Sequence, residues 1–385
     1  MKLKDVTLQE IKGIWGDELQ DGEKGTPVIK TNNLTYEGHV DLSHITFRNI
    51  PASKVTNCLL RYGDLLIEKS GGTKTHSVGY VNIFEDKNDE YVANNFIFVL
   101  RPNSKLIDSK YLFYQLKYRY ESGQIEHLHN QTTGIQNLKV QSYLDQEIKY
   151  VSIQTQQKIS NKLDKIEKAI KLEKSVLNSL DALIKSRFIE LFPEDGDFEH
   201  DTLSGVTTKI TDGSHNPPKG VTFSEYIMAS SQNVNDVLNL NDVRYLSKED
   251  FDRENKRTDI QEGDVLFTIV GTIGRTYVIK SEKIVFQRSV AVIKPKKNII
   301  NSIYLKYFLS SDFATKQIDI VAHGVAQKGI YLSNLKELDI VVPKIEVQDK
   351  FASFVESVDK LKFNVQQRIE KYKELLNKKM SEYFN

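Results

Sequence analysis

The sequence predicts an α+β protein in which two globular α/β domains in tandem alternate with two long helices. Three observations lead to this fold class. The chain repeats itself at an interval of about 192 residues, each repeat begins with short β-rich segments, and each ends in a glycine-free stretch with heptad spacing. We therefore expect two similar domains, each followed by a long helix, with the two helices paired as an antiparallel coiled coil.

Composition sets the limits for this interpretation. The chain has 385 residues, of which 39% are hydrophobic and 27% charged, a globular composition long enough for two ordinary domains. No apolar run approaches the ~18 residues of a membrane span, and the N-terminal segment lacks an apolar signal region. With Cys58 as its single cysteine, the chain is expected to be cytoplasmic, without a membrane partner. Its net charge of +1 does not by itself indicate a nucleic-acid partner.

Matched motifs carry the repeat. YGDLLIE in the first half corresponds to EGDVLFT in the second, and LRPNSKLIDSKYLFYQL corresponds to IKPKKNIINSIYLKYFL, which aligns Tyr111 with Tyr304. VSIQTQQKI likewise corresponds to PKIEVQDKF. A solenoid would have more and shorter repeats, so the pattern indicates a duplicated domain, expected at 1–153 and 193–345.

Two segments, 154–192 and 346–385, are predicted to be long helices because they contain no glycine and carry apolar residues three and four positions apart. These seam positions are Ile159, Leu163, Ile166, Ile170, Leu177, Leu180, Ile184 and Leu191 in the first helix, and Phe351, Val355, Val358, Val365, Ile369, Tyr372 and Leu376 in the second.

Two charged residues, Glu173 and Lys362, interrupt the apolar seams. In an antiparallel alignment that places them opposite each other, every remaining layer is apolar. Because any slip would bury an unpaired charge, we expect a Glu173–Lys362 pair to fix the register of the helices. The alternative is that both side chains extend to solvent from loosely packed layers.

One possible catalytic motif is the Asn-Pro-Pro sequence that follows His215. Amino-methyltransferases use Asn-Pro-Pro followed by an aromatic residue to hold a flipped base. Here Lys219 replaces the aromatic residue, and no glycine-rich cofactor loop precedes the motif. We therefore expect no methyltransferase activity and no cofactor.

Nuclease and metal motifs are equally weak. Glu147 and Lys149 have the Glu-x-Lys spacing of metal-dependent nucleases, but the corresponding place in the second repeat has neither charge. His127 and His129 could face the same side of a strand, yet no third ligand follows at metal-binding spacing. The sequence thus indicates no catalytic site and no bound metal.

Two polar, glycine-rich loops follow equivalent β-rich segments and are the better candidates for function. Their spacing is not that of a nucleotide-binding P-loop. Glycines allow a backbone to approach a phosphate, hydroxyl groups bond to phosphate oxygens, and Lys or Arg can reach a guanine edge. The alternative for each loop alone is an ordinary surface turn. The candidate DNA-binding residues are Lys69, Ser70, Thr73, Lys74 and His76 in the first loop, and Thr272 and Arg275 in the second.

Over its entire length the sequence resembles a known family. TDGSHNPPK at 211–219, the Gly-Asp pair before each glycine loop, and the RP and KP that follow NNFIFVL and QRSVAVI resemble the specificity subunits of type I restriction-modification systems. The resemblance implies that each globule is a target recognition domain for one half of a bipartite double-stranded DNA sequence. It adds His215, Asn216 and Lys219 to the candidate DNA contacts.

The resemblance also implies partners. The long helices would act as a spacer and as the docking platform for two methyltransferase subunits, and restriction/translocase subunits would join the full complex. The chain itself would be no enzyme. The first half departs from the family pattern because it lacks the Asp-Gly-x-His loop present in the second.

A second class of function remains open from the sequence. A scaffold or decoy protein could bind restriction-modification subunits without reading DNA. Such a protein would be expected to carry acidic loop faces in place of Lys74 and Arg275, and the sequence does not show them.

Overall fold

The computed structural model describes residues 1–72, 76–88, 90–132, 135–322 and 329–385. The chain forms two units. Unit 1 comprises Met1–Lys174 and Gln367–Asn385, and unit 2 comprises Ser175–Gln366. Each unit therefore contains one globule and a part of each long helix.

The secondary structure of the first repeat alternates short strands with a few helices. The strands are β1 (Thr7–Lys12), β2 (Thr26–Ile29), β3 (Thr46–Arg48), β4 (Leu65–Glu68), β5 (Ser70–Gly71), β6 (Val81–Ile83), β7 (Val92–Ala93), β8 (Ile97–Pro102), β9 (His129–Thr132) and β10 (Ile135–Leu138). The helices are α1 (Ala52–Cys58), α2 (Ser109–Glu121), α3 (Val140–Leu144) and the long α4 (Ile153–Leu191).

The second repeat follows the same plan. Its strands are β11 (Glu199–Thr202), β12 (Thr207–Asp212), β13 (Tyr226–Ala229), β14 (Arg244–Leu246), β15 (Val265–Thr268), β16 (Thr276–Val278), β17 (Ile284–Phe286), β18 (Val290–Pro295) and β19 (Asp339–Val342). Its helices are α5 (Lys248–Thr258), α6 (Ser302–Leu309), α7 (Asp312–Val321), α8 (Leu332–Lys336) and the long α9 (Ile345–Phe384).

Both globules are built on sheets of the same strand order. The larger sheet has the order β1-β8-β4-β6 in unit 1 and β12-β18-β15-β16 in unit 2, with β4 and β15 entirely buried. The smaller sheet has the order β3-β2-β7 in unit 1 and β14-β13-β17 in unit 2, with one parallel pair in each. The predicted fold class, two similar α/β domains each followed by a long helix, is confirmed.

A buried ion pair explains why the repeat keeps an Asp before one central strand and a cation at the end of its neighbour. Asp64 accepts from the Arg101 guanidinium at 2.9 and 2.7 Å, and Asp264 accepts from Lys294 Nζ at 2.7 Å. Both carboxylates are almost fully buried. Each also accepts a backbone N–H of the turn before its strand, so charge and hydrogen-bonding capacity are both satisfied.

A buried glutamine in the first turn of each long helix joins that helix to its globule. Gln156 accepts from the Asp108 N–H at 2.8 Å and donates to the carbonyls of Leu106 and Val151. Gln348 makes the same three bonds, accepting from Asn301 N–H and donating to the carbonyls of Ile299 and Pro343. We call each such arrangement the glutamine clamp.

The aligned tyrosines strengthen the same junction. Tyr111 donates its hydroxyl to the carbonyl of Lys149, and Tyr304 donates to the carbonyl of Val341 at 2.8 Å. Both rings are fully buried. The segment that leads into each long helix is thus held by one side chain from the globule and one from the helix.

The long helices have the predicted extents within two residues at each end, and they run antiparallel in the contacts within unit 2. Asp181 and Phe188 of α4 contact Lys362 and Phe351 of α9, so positions that ascend along one helix descend along the other. In unit 1, the first turns of α4 share a hydrophobic core with the last turns of α9. No helix in the described ranges is long and apolar enough to cross a bilayer.

The predicted pairing of Glu173 with Lys362 is wrong. Glu173 accepts from the Arg368 guanidinium at 2.7 and 2.8 Å, and Lys362 Nζ lies 2.5 Å from Asp181 Oδ1. Arg368 lies more than one helical turn beyond Lys362 in α9. Partners at the rim of the seam keep these charges partly hydrated, so each avoids the desolvation cost of a buried pair.

The globule of unit 1 is also tied to α4 by a polar network. The Tyr114 hydroxyl contacts Asp164 and Glu167 at 2.9 and 2.8 Å. Lys110 pairs with Asp164 at 2.7 Å, and Lys117 pairs with Glu167 at 2.8 Å. All of these side chains are mostly buried, so the network joins α2 to α4 through hydrogen bonds and ion pairs.

Unit 2 uses an aromatic cluster at the corresponding junction. Phe188 of α4 and Phe192, directly after α4, contact Tyr304 of α6 and Phe351 of α9, with ring centroids 4.7 to 5.8 Å apart. Such ring pairs add to the free energy gained from burial alone.

We predict that Gln156→Ala lowers the free energy of unfolding by at least about 2 kcal/mol, because three backbone groups lose their partner in a buried site. Urea unfolding followed by circular dichroism measures this. Gln157→Ala, the exposed neighbour, is the control and should change stability by no more than about 0.5 kcal/mol. Equal effects of the two substitutions would contradict the role of the clamp.

A second prediction concerns pH. A hydrogen bond from His39, together with Lys110, lowers the pKa of Glu85 from 4.5 to about 2. The charged carboxylate therefore stabilises the folded state above pH 4.5, and this contribution is lost as the pH falls from there towards 2. Glu85→Gln should destabilise the protein at pH 7, and its difference from wild type should shrink by pH 3. Thermal unfolding at both pH values measures this, with exposed Glu10→Gln as the control; a difference that does not depend on pH would count against the assignment.

Candidate nucleic-acid interface

One edge of each globule ends in a tight turn between two strands. The turn joins β7 to β8 in unit 1 and β17 to β18 in unit 2. We call residues 94–97 and 287–290 the tip turns. Ile97 N donates to Asn94 O at 3.1 Å, and Val290 N donates to Gln287 O at the same distance, so both are hydrogen-bonded β-turns.

The two tip turns are held by the same set of backbone hydrogen bonds to the loops around them. In unit 1 the bonds are Ile14 N to Ala93 O, Asn94 N to Ile29 O and Lys69 N to Phe96 O; in unit 2 they are Ser214 N to Phe286 O, Gln287 N to Ala229 O and Ile269 N to Ser289 O. In each unit these bonds gather the loops after the first, second and fourth equivalent strands at one edge.

The loop that follows β12 contains three of the predicted DNA contacts. His215, Asn216 and Lys219 are all exposed there. A Cβ at Gly213 would lie 2.0 Å from the carbonyl oxygen of Phe286, so only glycine allows the loop to pass this close to the tip turn. This close approach, together with the bond from Arg288 N to Ser214 O, places the start of the loop beside the tip turn of unit 2. His215, Asn216 and Lys219 follow in the same loop.

Asp212 organises the charge in that loop. His215 Nε2 lies 2.7 Å from one carboxylate oxygen of Asp212, and the Arg257 guanidinium contacts the other. The carboxylate is buried, whereas the imidazole is half exposed. An acidic group in the middle of the candidate interface is thus neutralised by two cationic or proton-sharing neighbours.

Unit 1 builds the same place with different residues. A Cβ at Gly13 would lie 1.7 Å from the carbonyl oxygen of Asn94, which repeats the close approach made by Gly213. Trp15 follows and is 39% exposed, and the Arg48 guanidinium lies 4.4 Å from its ring centroid. The sequence correctly shows that the Asp-Gly-x-His loop is missing here, but the glycine that shapes the loop is retained.

The glycine loop of unit 1 lies on the other side of its tip turn. Ser70 Oγ donates to Asn137 Oδ1 at 2.7 Å, and β5 pairs with β10, so Lys69 and Ser70 belong to a small three-stranded sheet. The His76 ring stacks on Tyr36 with centroids 3.8 Å apart. Two further predicted contacts, Thr73 and Lys74, lie outside the described residues.

Glu68 lies at the base of this loop. Burial raises the pKa of its carboxyl to about 6, while a hydrogen bond from the backbone of Gly72 acts in the opposite direction. The carboxyl group is therefore partly protonated slightly below neutral pH.

The corresponding loop of unit 2 separates its two predicted contacts. Thr272 is exposed at the loop, whereas Arg275 begins the return towards β16. Arg275 lines a cleft of about 800 Å³ that is also bordered by the end of α4 and by α6. The guanidinium has no partner in the described part of the chain.

Sequence reasoning missed the two residues at the apex of the tip turns, Asn95 and Arg288. Both are exposed, and neither side chain has a partner within the residues that the structure describes. The signal that could have found them is the match of NNFIFVL with QRSVAVI, in which these polar residues occupy the same position before a buried strand.

The weaker catalytic candidates do not form a site. Glu147 forms an isolated β-bridge with Lys2, and Lys149 Nζ donates to the carbonyl of Asn385. Burial lowers the pKa of His129. Across the described ranges, no group of three His, Cys, Asp or Glu side chains is arranged to hold a metal ion.

Known proteins resemble this chain in sequence and in structure. The family described as the type I restriction modification DNA specificity domain matches residues 1–182 and 209–372. The EcoBI specificity subunit of a type I restriction enzyme from Escherichia coli is 34% identical over 31% of this chain and 26% of its own length. A putative MjaX specificity subunit from Methanocaldococcus jannaschii is 20% identical over 97% of this chain and 90% of its own length.

Solved structures resemble the fold over the whole chain. A structure concerned with complex assembly and conformational transition of a type I restriction-modification system covers 100% of this chain and 97% of its own, with a TM-score of 0.57 and 14% identity. The S subunit of a type I restriction-modification system from M. genitalium covers 100% of this chain and 95% of its own, with a TM-score of 0.54 and 13% identity.

The family match spans both globules and most of both long helices, and it falls in two tandem regions as the duplication requires. This chain belongs to the family of type I restriction-modification DNA specificity domains.

Proposed function

We propose that the chain is the DNA sequence-specificity subunit of a type I restriction-modification complex, in which each globule reads one half of a bipartite double-stranded target. The observation that carries this proposal is the pair of tip turns, held by the same backbone bonds in both units. Two equivalent edges with different side chains suit a target made of two different half-sites.

The proposed domain organisation follows from the sequence. Target recognition domains occupy 1–153 and 193–345, and the spacer helices occupy 154–192 and 346–385. The DNA contacts of this proposal are Lys69, Ser70, Thr73, Lys74, His76, His215, Asn216, Lys219, Thr272 and Arg275.

Protein partners are part of the proposal. Large apolar side chains are exposed along the long helices, which suits docking of two methyltransferase subunits. These side chains are Leu172, Leu183, Ile189, Leu361, Phe363 and Leu375. Restriction/translocase subunits complete the assembly, and the complex works in the cytoplasm.

In this proposal the chain recognises the DNA sequence, and its partner subunits carry out catalysis. It is no enzyme and uses no cofactor of its own. Because its net charge is only +1, nonspecific attraction to phosphates is small, and the partners contribute part of the affinity for DNA. Binding of DNA by the isolated chain is accordingly weak.

We predict that Lys219→Ala weakens binding of the partner-assembled complex to DNA of any sequence and reduces the slope of log affinity against log salt by about 1, because one phosphate contact is lost. Fluorescence anisotropy at several salt concentrations measures both quantities. Lys297→Ala is the matched control, since Lys297 is exposed beyond the opposite end of β18. If the two variants behave alike, the 213–219 loop does not contact DNA.

We further predict that the purified chain with S-adenosylmethionine transfers no methyl groups to DNA, whereas the chain assembled with its modification subunits methylates defined bipartite sites. Sequencing of modified bases after the reaction measures this. Turnover by the chain alone would show it to be an enzyme. Methylation without any preferred site would instead favour a scaffold or decoy.

A further inference from the structure

The apex residues of the tip turns are equivalent in backbone position but different in chemistry. Asn95 and Arg288 each occupy the second position of a hydrogen-bonded β-turn, directly after Asn94 and Gln287, whose carbonyls close the two turns. Both are exposed, and within the described residues neither side chain has a hydrogen-bond or ionic partner. Each apex therefore offers polar groups without an intramolecular role.

The backbone that carries these side chains is fixed. The bonds that anchor each tip turn to its neighbouring loops are the same in both units, and in unit 2 Arg288 N also donates to Ser214 O at 2.9 Å. Ser231 N donates to the hydroxyl of Ser289, which ties the next residue as well. A side chain on such a frame begins from a defined position, as direct recognition requires.

Asp212, in the loop that Arg288 N bonds to, does not compete for the Arg288 side chain. Ser214, which accepts from Arg288 N, lies two residues after Asp212. Both oxygens of the Asp212 carboxylate are already in contact, one with His215 and one with Arg257. The Arg288 guanidinium is thereby left available for a ligand outside the chain.

We propose that Asn95 and Arg288 are specificity-determining residues that read one base in each half-site, adenine for Asn95 and guanine for Arg288. The Asn side-chain amide donates a hydrogen bond to N7 of adenine and accepts one from the N6 amino group. The Arg fork donates two hydrogen bonds to N7 and O6 of guanine. This inference rests on the proposed DNA-reading function and assigns a base type to each globule.

A neutral amide argues for base contact at this position. The electrostatic, sequence-independent part of DNA affinity comes from Lys and Arg, and Asn95 brings no charge to the apex of unit 1. The corresponding apex of unit 2 carries the cationic Arg288. The feature that Asn95 and Arg288 share is therefore the ability to make two hydrogen bonds in one plane. That ability distinguishes bases in the major groove.

The experiment selects bound sequences from randomised double-stranded DNA with the complex of this chain and its modification subunits. The variants are Arg288→Asn, Asn95→Arg and Arg288→Lys, the last of which keeps the charge but loses the two-pronged geometry. Arg61→Ala is the charge-matched control, because exposed Arg61 precedes β4 at the end of the strand away from the tip turn. Thermal unfolding of each variant checks that the fold is retained.

We expect Arg288→Asn to reduce the preference for guanine at one position of one half-site by about 10- to 100-fold, with adenine gaining at that position. Asn95→Arg should change one position of the other half-site from adenine towards guanine. Arg288→Lys should also lose guanine preference while keeping the salt dependence, and the control should select the wild-type motif.

Two results would overturn the inference while leaving the proposed function in place. The selected motif could stay unchanged in both apex variants, or Arg288→Asn and Arg288→Lys could alter affinity equally for all bases. If the wild-type complex selects no bipartite motif at all, the proposed function itself fails, and the base assignments fail with it.

Discussion

The glutamine clamp is the interaction on which the architecture of each unit depends. The segment that leads into each long helix and the loop that precedes α2 or α6 in the globule both have backbone groups outside any helix or strand. Gln156 and Gln348 satisfy groups on both sides with a single amide, and each is fully buried. The direction in which each helix leaves its globule is therefore set by three hydrogen bonds, and the packing of its apolar seam starts from that direction.

Apart from the glutamine clamp, the two junctions between globule and helix are stabilised by different kinds of interaction. Unit 1 uses the ion pairs and tyrosine hydroxyl contacts around Asp164 and Glu167. Unit 2 uses packed aromatic rings, among which burial raises the pKa of Tyr304. The second junction therefore responds mainly to conditions that alter apolar burial.

How much of this could be read from the sequence depends on the type of interaction. The duplication and the heptads identify the two domains and the long helices because periodic burial leaves a periodic pattern. The ion pairs of Glu173 and Lys362 could not be predicted, because the partner of a long, flexible side chain depends on which charged residues lie beside the apolar seam in the folded structure. Gln156 and Gln348 stand in aligned motifs, but nothing in the pattern shows that a polar residue there is buried.

Only part of the candidate interface could be predicted from the sequence, for similar reasons. A motif identifies the loop containing His215 and Lys219, whereas Arg288 is recognised only when QRSVAVI is compared with NNFIFVL, which contains Asn95. Arg275 was chosen for its glycine-rich surroundings, yet it lines a cleft beside α6. Loop composition indicates which segments are exposed, but hydrogen bonds to distant segments decide which way they face.

The tip turns have an evolutionary consequence. Every hydrogen bond that holds these turns between neighbouring loops in both units is made by backbone atoms alone, apart from the serine contact in unit 2. The apex side chain contributes nothing to the fold, so mutation can replace it without loss of stability. A lineage that carries this scaffold is free to drift from one recognition preference to another while its core, its clamps and its helices stay the same.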